Sequence, residues 1–238
     1  GLFGAVCARE LTDAGKRVLV VEKRPHIGGQ CYTEVRDGQV MNLYGGHIFH
    51  TNDRRLWEYV NRFAHFRPYS HHVKARVNGT VYSFPPNRMT AQQGVVGEQA
   101  VREMFFRGYT EKMWGRPLEE VPPSVLARIP MRDIWSDEYF SDTYQGLPEG
   151  GYTPMIEKML EGVTVDLGIN FLGDRAEWLE HARRIIYTGP LDALFDHDRG
   201  RLEWRGMRFE HRREEHEVYQ GCATMNYTSA DVPWLREE

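Results

Sequence analysis

Two glycines and one acidic residue near the start of the chain have the spacing found in sites that hold a dinucleotide. Gly1 and Gly4 open an apolar helical stretch, and a strand-like run at residues 17–21 ends on Glu22. Glycines let the backbone approach a pyrophosphate, the start of the helix faces its charge, and the acidic residue binds a ribose hydroxyl. The pattern predicts a dinucleotide-binding unit, with an ordinary glycine-capped helix–strand turn as the alternative.

A second glycine pair, Gly28-Gly29, follows soon after Glu22 and favours a flavin over a nicotinamide. Many flavin enzymes place such a pair just after the ribose-binding acid, where backbone passes close to the cofactor. A nicotinamide-binding domain would use the same early glycines and the same acid, but not the segment at residues 24–29. We therefore predict FAD as the cofactor.

Two histidines, His47 and His50, lie in a glycine-rich stretch and could bind a metal ion or contact a flat ring system. Spaced three apart, they would share a face only on a helix, and Gly45-Gly46 disfavour a helix here. No third ligand is evident nearby, so we predict no metal. Glycines beside an aromatic residue and a histidine suit a loop against a ring system; hydrogen-bonded structural histidines are the alternative.

Aromatic residues with arginines downstream form a third candidate group. Phe105 and Phe106 begin a run that continues through Tyr109 to Trp114, and Arg128 follows. Aromatic faces suit a nucleotide base, and a forked cation suits a diphosphate, which together describe a nucleotide-sugar site. At helical spacing the same aromatic residues could instead pack in a core.

Composition and charge narrow the class of protein. The chain has 238 residues, of which 41% are hydrophobic, and a formal net charge of −4 at pH 7. This balance does not indicate a nucleic-acid binder, and no apolar stretch approaches the length of a membrane span. Cys7, Cys31 and Cys222 are widely separated, which predicts buried thiols rather than a disulfide framework. We therefore expect a cytoplasmic protein that binds neither nucleic acid nor membranes.

The order of elements predicts an α/β fold, in which a Rossmann-like FAD-binding sheet domain is interleaved with an antiparallel sheet and a helical insertion. Asn78-Gly79 between two alternating runs predicts a hairpin, and Thr51 is predicted to cap a helix. Further strands are predicted at residues 163–167, 184–187 and 217–220. The predicted parts are 1–72 for FAD binding, 73–93 for an antiparallel hairpin, 94–130 for a helical substrate-side part, and 131–238 for mixed sheet that returns to the FAD-binding domain.

Five motifs, in order along essentially the whole chain, resemble those of the bacterial UDP-galactopyranose mutases. They are Gly-His-Ile-Phe-His-Thr (46–51), Phe-Phe-Arg-Gly-Tyr-Thr-x-Lys-x-Trp-Gly (105–115), Gly-Gly-Tyr-Thr-Pro-Met-Ile (150–156), Thr-Gly-Pro-Leu-Asp-Ala (188–193) and Tyr-Gln-Gly-Cys-Ala-Thr-Met-Asn-Tyr (219–227). The resemblance implies an isomerase that interconverts UDP-galactopyranose and UDP-galactofuranose. It also implies that N5 of reduced FAD acts as the nucleophile on the anomeric carbon. Because the family's members are often homo-oligomers, the resemblance extends that expectation to this chain.

The resemblance also assigns roles to individual residues. It implies a catalytic set of His50 beside the flavin ring and two arginines, Arg128 and Arg236, on the diphosphate. The implied cofactor contacts are Gly1, Gly4, Glu22, Lys23, Gly28, Gly29, Gln30 and His47. The implied substrate contacts are Phe105, Phe106, Tyr109, Trp114, Tyr139 and Asn226.

Three parts of the family pattern are absent from the sequence: a first strand with its leading glycine, a longer helical insert near Gln93, and a C-terminal continuation. We therefore expect weak FAD binding and little mutase activity from these residues alone, and an active mutase if the whole protein carries the missing parts. Two other functions stay open. One is an FAD-dependent oxidoreductase of the amine-oxidase kind, and the other is an inactive fragment that binds a nucleotide sugar.

Overall fold

The computed structural model describes residues 1–126, 131–216 and 219–238. The helices are α1 Leu2–Asp13, α2 Arg54–Val60, α3 Arg88–Gln92, α4 Glu98–Val101, α5 Gly108–Trp114, α6 Pro123–Leu126, α7 Tyr152–Met159, α8 Arg175–His181 and α9 Leu191–Leu194. The strands are β1 Leu19–Glu22, β2 Thr33–Arg36, β3 Gln39–Asn42, β4 Phe49–Thr51, β5 Phe66–Pro68, β6 Val73–Val77, β7 Thr80–Phe84, β8 Tyr144–Pro148, β9 Thr164–Leu167, β10 Thr224–Tyr227 and β11 Arg236–Glu237. A π-helical segment, Arg102–Arg107, joins α4 to α5.

The chain forms two compact units, each assembled from two separate stretches. The first unit contains Gly1–Pro68 and Tyr144–Trp204, and the second contains Tyr69–Thr143 and Arg205–Glu238. Helices, a parallel strand pair and antiparallel sheets occur together, so the interleaved α/β prediction is confirmed.

The first unit is built around α1 and α7. Their apolar faces supply a core that includes Ala5, Ala8, Met155, Ile156 and Met159. The helix α1 precedes β1, and β1 pairs in parallel with β9 over four residues. The hairpin β2–β3 and the antiparallel sheet β4–β8–β5 complete this unit.

The second unit is a four-stranded sheet, β11–β10–β6–β7, covered by the helical segment from α4 to α5. The hairpin β6–β7 is confirmed, because Asn78 and Gly79 both take the positive φ angles that a two-residue turn requires. Phe105 closes the core of this unit against Tyr82 and Phe84.

Three local predictions fail or lie partly outside the described residues. Thr51 does not cap α2; Asp53 accepts the amide of Arg55 instead, while Thr51 accepts the amide of Asp53. Residues 184–187 form no strand. Of the strand predicted at 217–220, positions 217 and 218 lie outside the described residues, and β10 begins later, at Thr224. The strand β10 forms by pairing with β6 and β11, so the residues of β10 alone do not predict where the strand begins.

The core of the first unit gives a direct stability prediction. Ile156 is 0% exposed, so Ile156→Ala removes buried apolar surface and leaves a cavity that should lower the free energy of unfolding by about 2–5 kcal/mol. Leu179→Ala is the control, because Leu179 is 58% exposed and should change stability by less than about 0.5 kcal/mol. Urea unfolding measures both variants. Equal effects would contradict the assignment of Ile156 to the core.

Candidate functional site

Two glycine segments of the first unit meet backbone to backbone. A Cβ atom added to Gly29 would lie 2.8 Å from the Cα of Gly1 and 3.3 Å from its nitrogen. Gly28 and Gly29 also take positive φ angles of 89° and 60°, which side chains rarely adopt. The segments therefore need glycine for close approach and for conformation. Gly4 differs, since a Cβ there would make only ordinary contact with Thr188, at 3.9 Å.

The contact of Gly28-Gly29 with Gly1, called the glycine junction from here on, lies beside the carboxylate of Glu22, which the sequence predicted as the ribose contact. Glu22 ends β1; its Oε1 accepts the backbone N–H of Arg24 at 3.0 Å, and its Oε2 lies 3.9 Å from the nitrogen of Gly1. The first turn of α1 starts at the same point, so an anion there would face unpaired helix N–H groups. Lys23 and Gln30 are exposed on either side of the junction.

An aromatic and cationic group beside the junction was missed by sequence analysis. The ring of His26 stacks on Tyr32 with centroids 3.9 Å apart, and its Nε2 accepts the hydroxyl of Tyr44 at 2.9 Å. The guanidinium of Arg24 lies 5.0 Å from the centre of the Tyr44 ring and borders Gly29. These residues share no spacing with the glycine motif, so only the folded chain brings them together.

The two candidate histidines occupy different environments. His47 donates from Nδ1 to the carbonyl of Gly45 at 2.7 Å, so in the neutral tautomer its Nε2 remains an acceptor. Its ring meets Tyr152 edge to face at 6.4 Å. His50 is exposed in β4, opposite Gln145 of β8. The histidines do not share a helix, and no cluster of metal-ligating residues occurs in the described ranges.

The arrangement in the first unit fits a dinucleotide. The glycine junction leaves no room for a side chain between Gly1 and Gly29. The start of α1 suits a pyrophosphate, and the Glu22 carboxylate suits a ribose hydroxyl. All three features belong to one local neighbourhood. The described residues contain no helix long and apolar enough to span a membrane.

In the second unit, the predicted catalytic residue Arg236 lies near three predicted substrate residues, Tyr109, Tyr139 and Asn226. Asn226 in β10 pairs in register with Arg236 in β11. Desolvation raises the pKa of the half-buried Tyr109, while the positive charge of Arg236 opposes that rise and Tyr139 adds to it. Tyr109 therefore lies within electrostatic range of both Arg236 and Tyr139. The Arg236 Nε also pairs with Glu238 at 2.8 Å.

The other predicted substrate residues differ in how far their side chains are exposed. Phe105 is 1% exposed and packs inside the core, so its ring offers no free face for stacking, whereas Phe106 is only partly buried. Trp114 is half-buried, and its indole N–H has no hydrogen-bond partner among the described residues. Arg128 lies outside the described residues.

His71 is a central residue of the second unit that sequence analysis did not select. It is 8% exposed, its Nδ1 lies 3.3 Å from the Tyr69 hydroxyl, and its carbonyl accepts the Tyr139 amide at 2.7 Å. Burial lowers the pKa of His71, and the nearby Arg236 charge lowers it further, while the Glu238 carboxylate raises it. A lone histidine in a strand-like run carries no local signal for this placement.

Two protein families match different parts of the chain. Residues 104–238 match the UDP-galactopyranose mutase family, and residues 1–63 match the NAD(P)-binding Rossmann-like domain. The second match covers the glycine junction and Glu22, and so supports the predicted Rossmann-like class of the first unit.

Curated relatives match along nearly the whole chain. A probable UDP-galactopyranose mutase from Klebsiella pneumoniae is 39% identical over 99% of this chain and 70% of its own length. A dTDP-fucopyranose mutase from Escherichia coli is 33% identical over 99% of this chain and 73% of its own length.

A solved structure of reduced UDP-galactopyranose mutase aligns with 69% of this chain and 46% of that chain, at 17% identity and a TM-score of 0.47. The family matches and the curated relatives confirm the resemblance that the five motifs predicted. The chain therefore belongs to the UDP-galactopyranose mutase family, a family of isomerases.

Proposed function

We propose that this protein uses FAD to interconvert the pyranose and furanose forms of UDP-galactose. The observation that carries the proposal is the convergence of Tyr109, Tyr139, Asn226 and Arg236 in one unit of a chain from this family. Such a group offers aromatic surface, an amide and a forked cation, which are the contacts that a nucleotide sugar needs.

The glycine junction of the first unit is the proposed seat of the cofactor's adenosine diphosphate portion. Gly1, Gly28 and Gly29 supply close backbone, and Glu22 accepts a ribose hydroxyl. His47 presents Nε2 as an acceptor, because Nδ1 is held by the Gly45 carbonyl. When bound and reduced, the flavin supplies N5 as the nucleophile for the anomeric carbon. His50 is the proposed contact to the flavin ring.

On the substrate side, the protein must neutralise and orient a diphosphate. Arg236 provides one guanidinium, and the family resemblance assigns the second to Arg128. Tyr109 has a raised pKa, so its hydroxyl stays protonated and can donate to a phosphate oxygen. The indole N–H of Trp114 is buried, so the proposed contact of this residue with the nucleotide is through the exposed part of its side chain.

The relative that acts on dTDP-fucopyranose gives a second candidate substrate. Both substrates carry a pyrimidine nucleoside diphosphate on a six-carbon sugar, so the same arginines and aromatic residues suit either. Parallel assays with the two sugar nucleotides decide between them: a higher kcat/KM for UDP-galactofuranose than for dTDP-fucofuranose supports the first candidate.

We also propose that the protein works in the cytoplasm and assembles as a homo-oligomer. The cytoplasmic location is supported by Cys7, Cys31 and Cys222, which are all free thiols. Burial raises the pKa of Cys31 and of Cys222, so both favour the protonated, unreactive form. The homo-oligomer is supported by the family resemblance.

The redox state of the flavin tests the proposed reaction. The purified protein with excess FAD should convert UDP-galactofuranose to the pyranose after dithionite reduction, and should be inactive when oxidised, because only reduced N5 is nucleophilic. Product analysis by chromatography measures the conversion. Equal activity in both states would contradict the proposal. Oxygen consumption with an amine substrate, insensitive to UDP, would favour an amine-oxidase type of enzyme instead.

The glycine junction gives a separate prediction about FAD binding. Gly29→Ala places a Cβ against the Gly1 backbone and should weaken FAD affinity by about tenfold or more. Gly15→Ala is the matched control, because Gly15 has a similar φ of 73° but open space around it. It should retain FAD affinity while carrying a comparable backbone strain. Equal FAD affinities for the two variants, measured by fluorescence titration, would remove the junction from the cofactor site.

A further inference from the structure

The ammonium group of Lys112 is surrounded by backbone carbonyl oxygens of a single segment. Its Nζ lies 2.7 Å from the carbonyl of Tyr227, 3.1 Å from Ser229, 2.9 Å from Val232 and 3.0 Å from Trp234. All four distances are within the normal range for charge-assisted hydrogen bonds. An ammonium has three N–H donors, so one of them is shared between two carbonyls.

This contact ties α5 to the connection between β10 and β11. Residues 228–235 form that connection and have little regular structure of their own. Removing the ammonium would take away the donor that these four carbonyls share, although the Ser229 carbonyl also accepts the amide of Val232 at 3.4 Å. Lys112 therefore helps to fix the path of the connection, together with the hydrogen bond from the Asn78 amide to the Ser229 hydroxyl and the edge-to-face contact between Tyr227 and Trp234.

Gly108, one helical turn before Lys112, allows α5 to approach the same connection closely. A Cβ on Gly108 would overlap the carbonyl oxygen of Thr228, and it would come within 3.3 Å of the amide nitrogen of Ala230. The hydroxyl of Thr228 donates to the Met104 carbonyl at 2.7 Å, in the π-helical segment. Because Gly108 has ordinary helical φ, its role is close approach and not backbone freedom.

The connection ends at the proposed diphosphate arginine. Arg236 begins β11, which contains only two residues and pairs with β10 through Asn226 and Met225. Two paired residues alone give a marginal strand. The position of Arg236 therefore also depends on the residues before it: the carbonyl of Leu235 accepts the amide of Tyr227 at 2.9 Å, and the carbonyls of Val232 and Trp234 converge on Lys112.

We propose that Lys112 is a positioning residue for Arg236: its ammonium holds the β10–β11 connection against α5 and so keeps the Arg236 guanidinium where a substrate diphosphate binds. The inference rests on the proposed function, since it takes Arg236 to be the diphosphate contact. It adds a residue that touches no substrate, and it explains why a lysine and a glycine stand in the aromatic motif.

Binding of UDP and of uridine to the purified protein, measured by calorimetry, separates a positioning role from a general structural one. Lys112→Met keeps the length of the side chain and removes its donors. It should weaken UDP binding about tenfold or more while changing uridine binding less than about twofold, since only UDP carries the phosphates. Gly108→Ala should give the same selective loss from the other side of the contact. Lys16→Met, at an exposed position in the first unit, is the control and should match wild type.

A double variant tests whether Lys112 acts through Arg236. Arg236→Ala should lose UDP affinity selectively, and adding Lys112→Met to it should cause no further loss. Additive losses, unchanged UDP affinity in Lys112→Met, or equal losses for UDP and uridine would each overturn the inference while leaving the proposed function intact. If the wild type binds UDP no more tightly than uridine, the proposed diphosphate site itself fails, and the inference fails with it. Should Lys112→Met not fold, Gly108→Ala decides by the same outcomes.

Discussion

Close contact between two backbones is the constraint on which both units depend. In the first unit, Gly29 meets Gly1 where a Cβ would lie 2.8 Å from the opposing Cα. In the second, Gly108 meets the Thr228 carbonyl, again with no room for a side chain. Each contact brings a functional element to its place: the first sets the proposed cofactor loop against the start of α1, and the second sets the connection that leads to Arg236.

Charge is arranged differently in the two units. In the first, backbone amides and the start of α1 face the proposed pyrophosphate, and one carboxylate, Glu22, faces the ribose. In the second, the Arg236 guanidinium is the proposed phosphate contact, and the half-buried ammonium of Lys112 binds carbonyls of the β10–β11 connection that precedes it. Desolvation lowers the pKa of Lys112, an effect that the nearby Asp231 carboxylate opposes.

Sequence reasoning succeeded where the signal is local. The β6–β7 hairpin follows from Asn78-Gly79, and the order of the elements predicted the interleaved α/β class. It failed where structure depends on distant partners. The strand β10 forms because β6 and β11 lie beside it. One error is local: Thr51 and Asp53 are both suitable capping residues, and Asp53, which directly precedes α2, is the one that caps it. His71 and Lys112 gain their importance from contacts more than 60 residues away, which periodicity does not reveal.

The central claim is that the glycine junction seats a flavin dinucleotide in a protein of this family. The visible absorption spectrum of the whole protein, including any residues beyond these 238, tests it most directly when recorded after incubation with excess FAD and removal of unbound cofactor. The account predicts a flavin spectrum at about one FAD per chain, bleached by dithionite. A protein that stays colourless after that incubation, although folded and able to bind UDP, would contradict it.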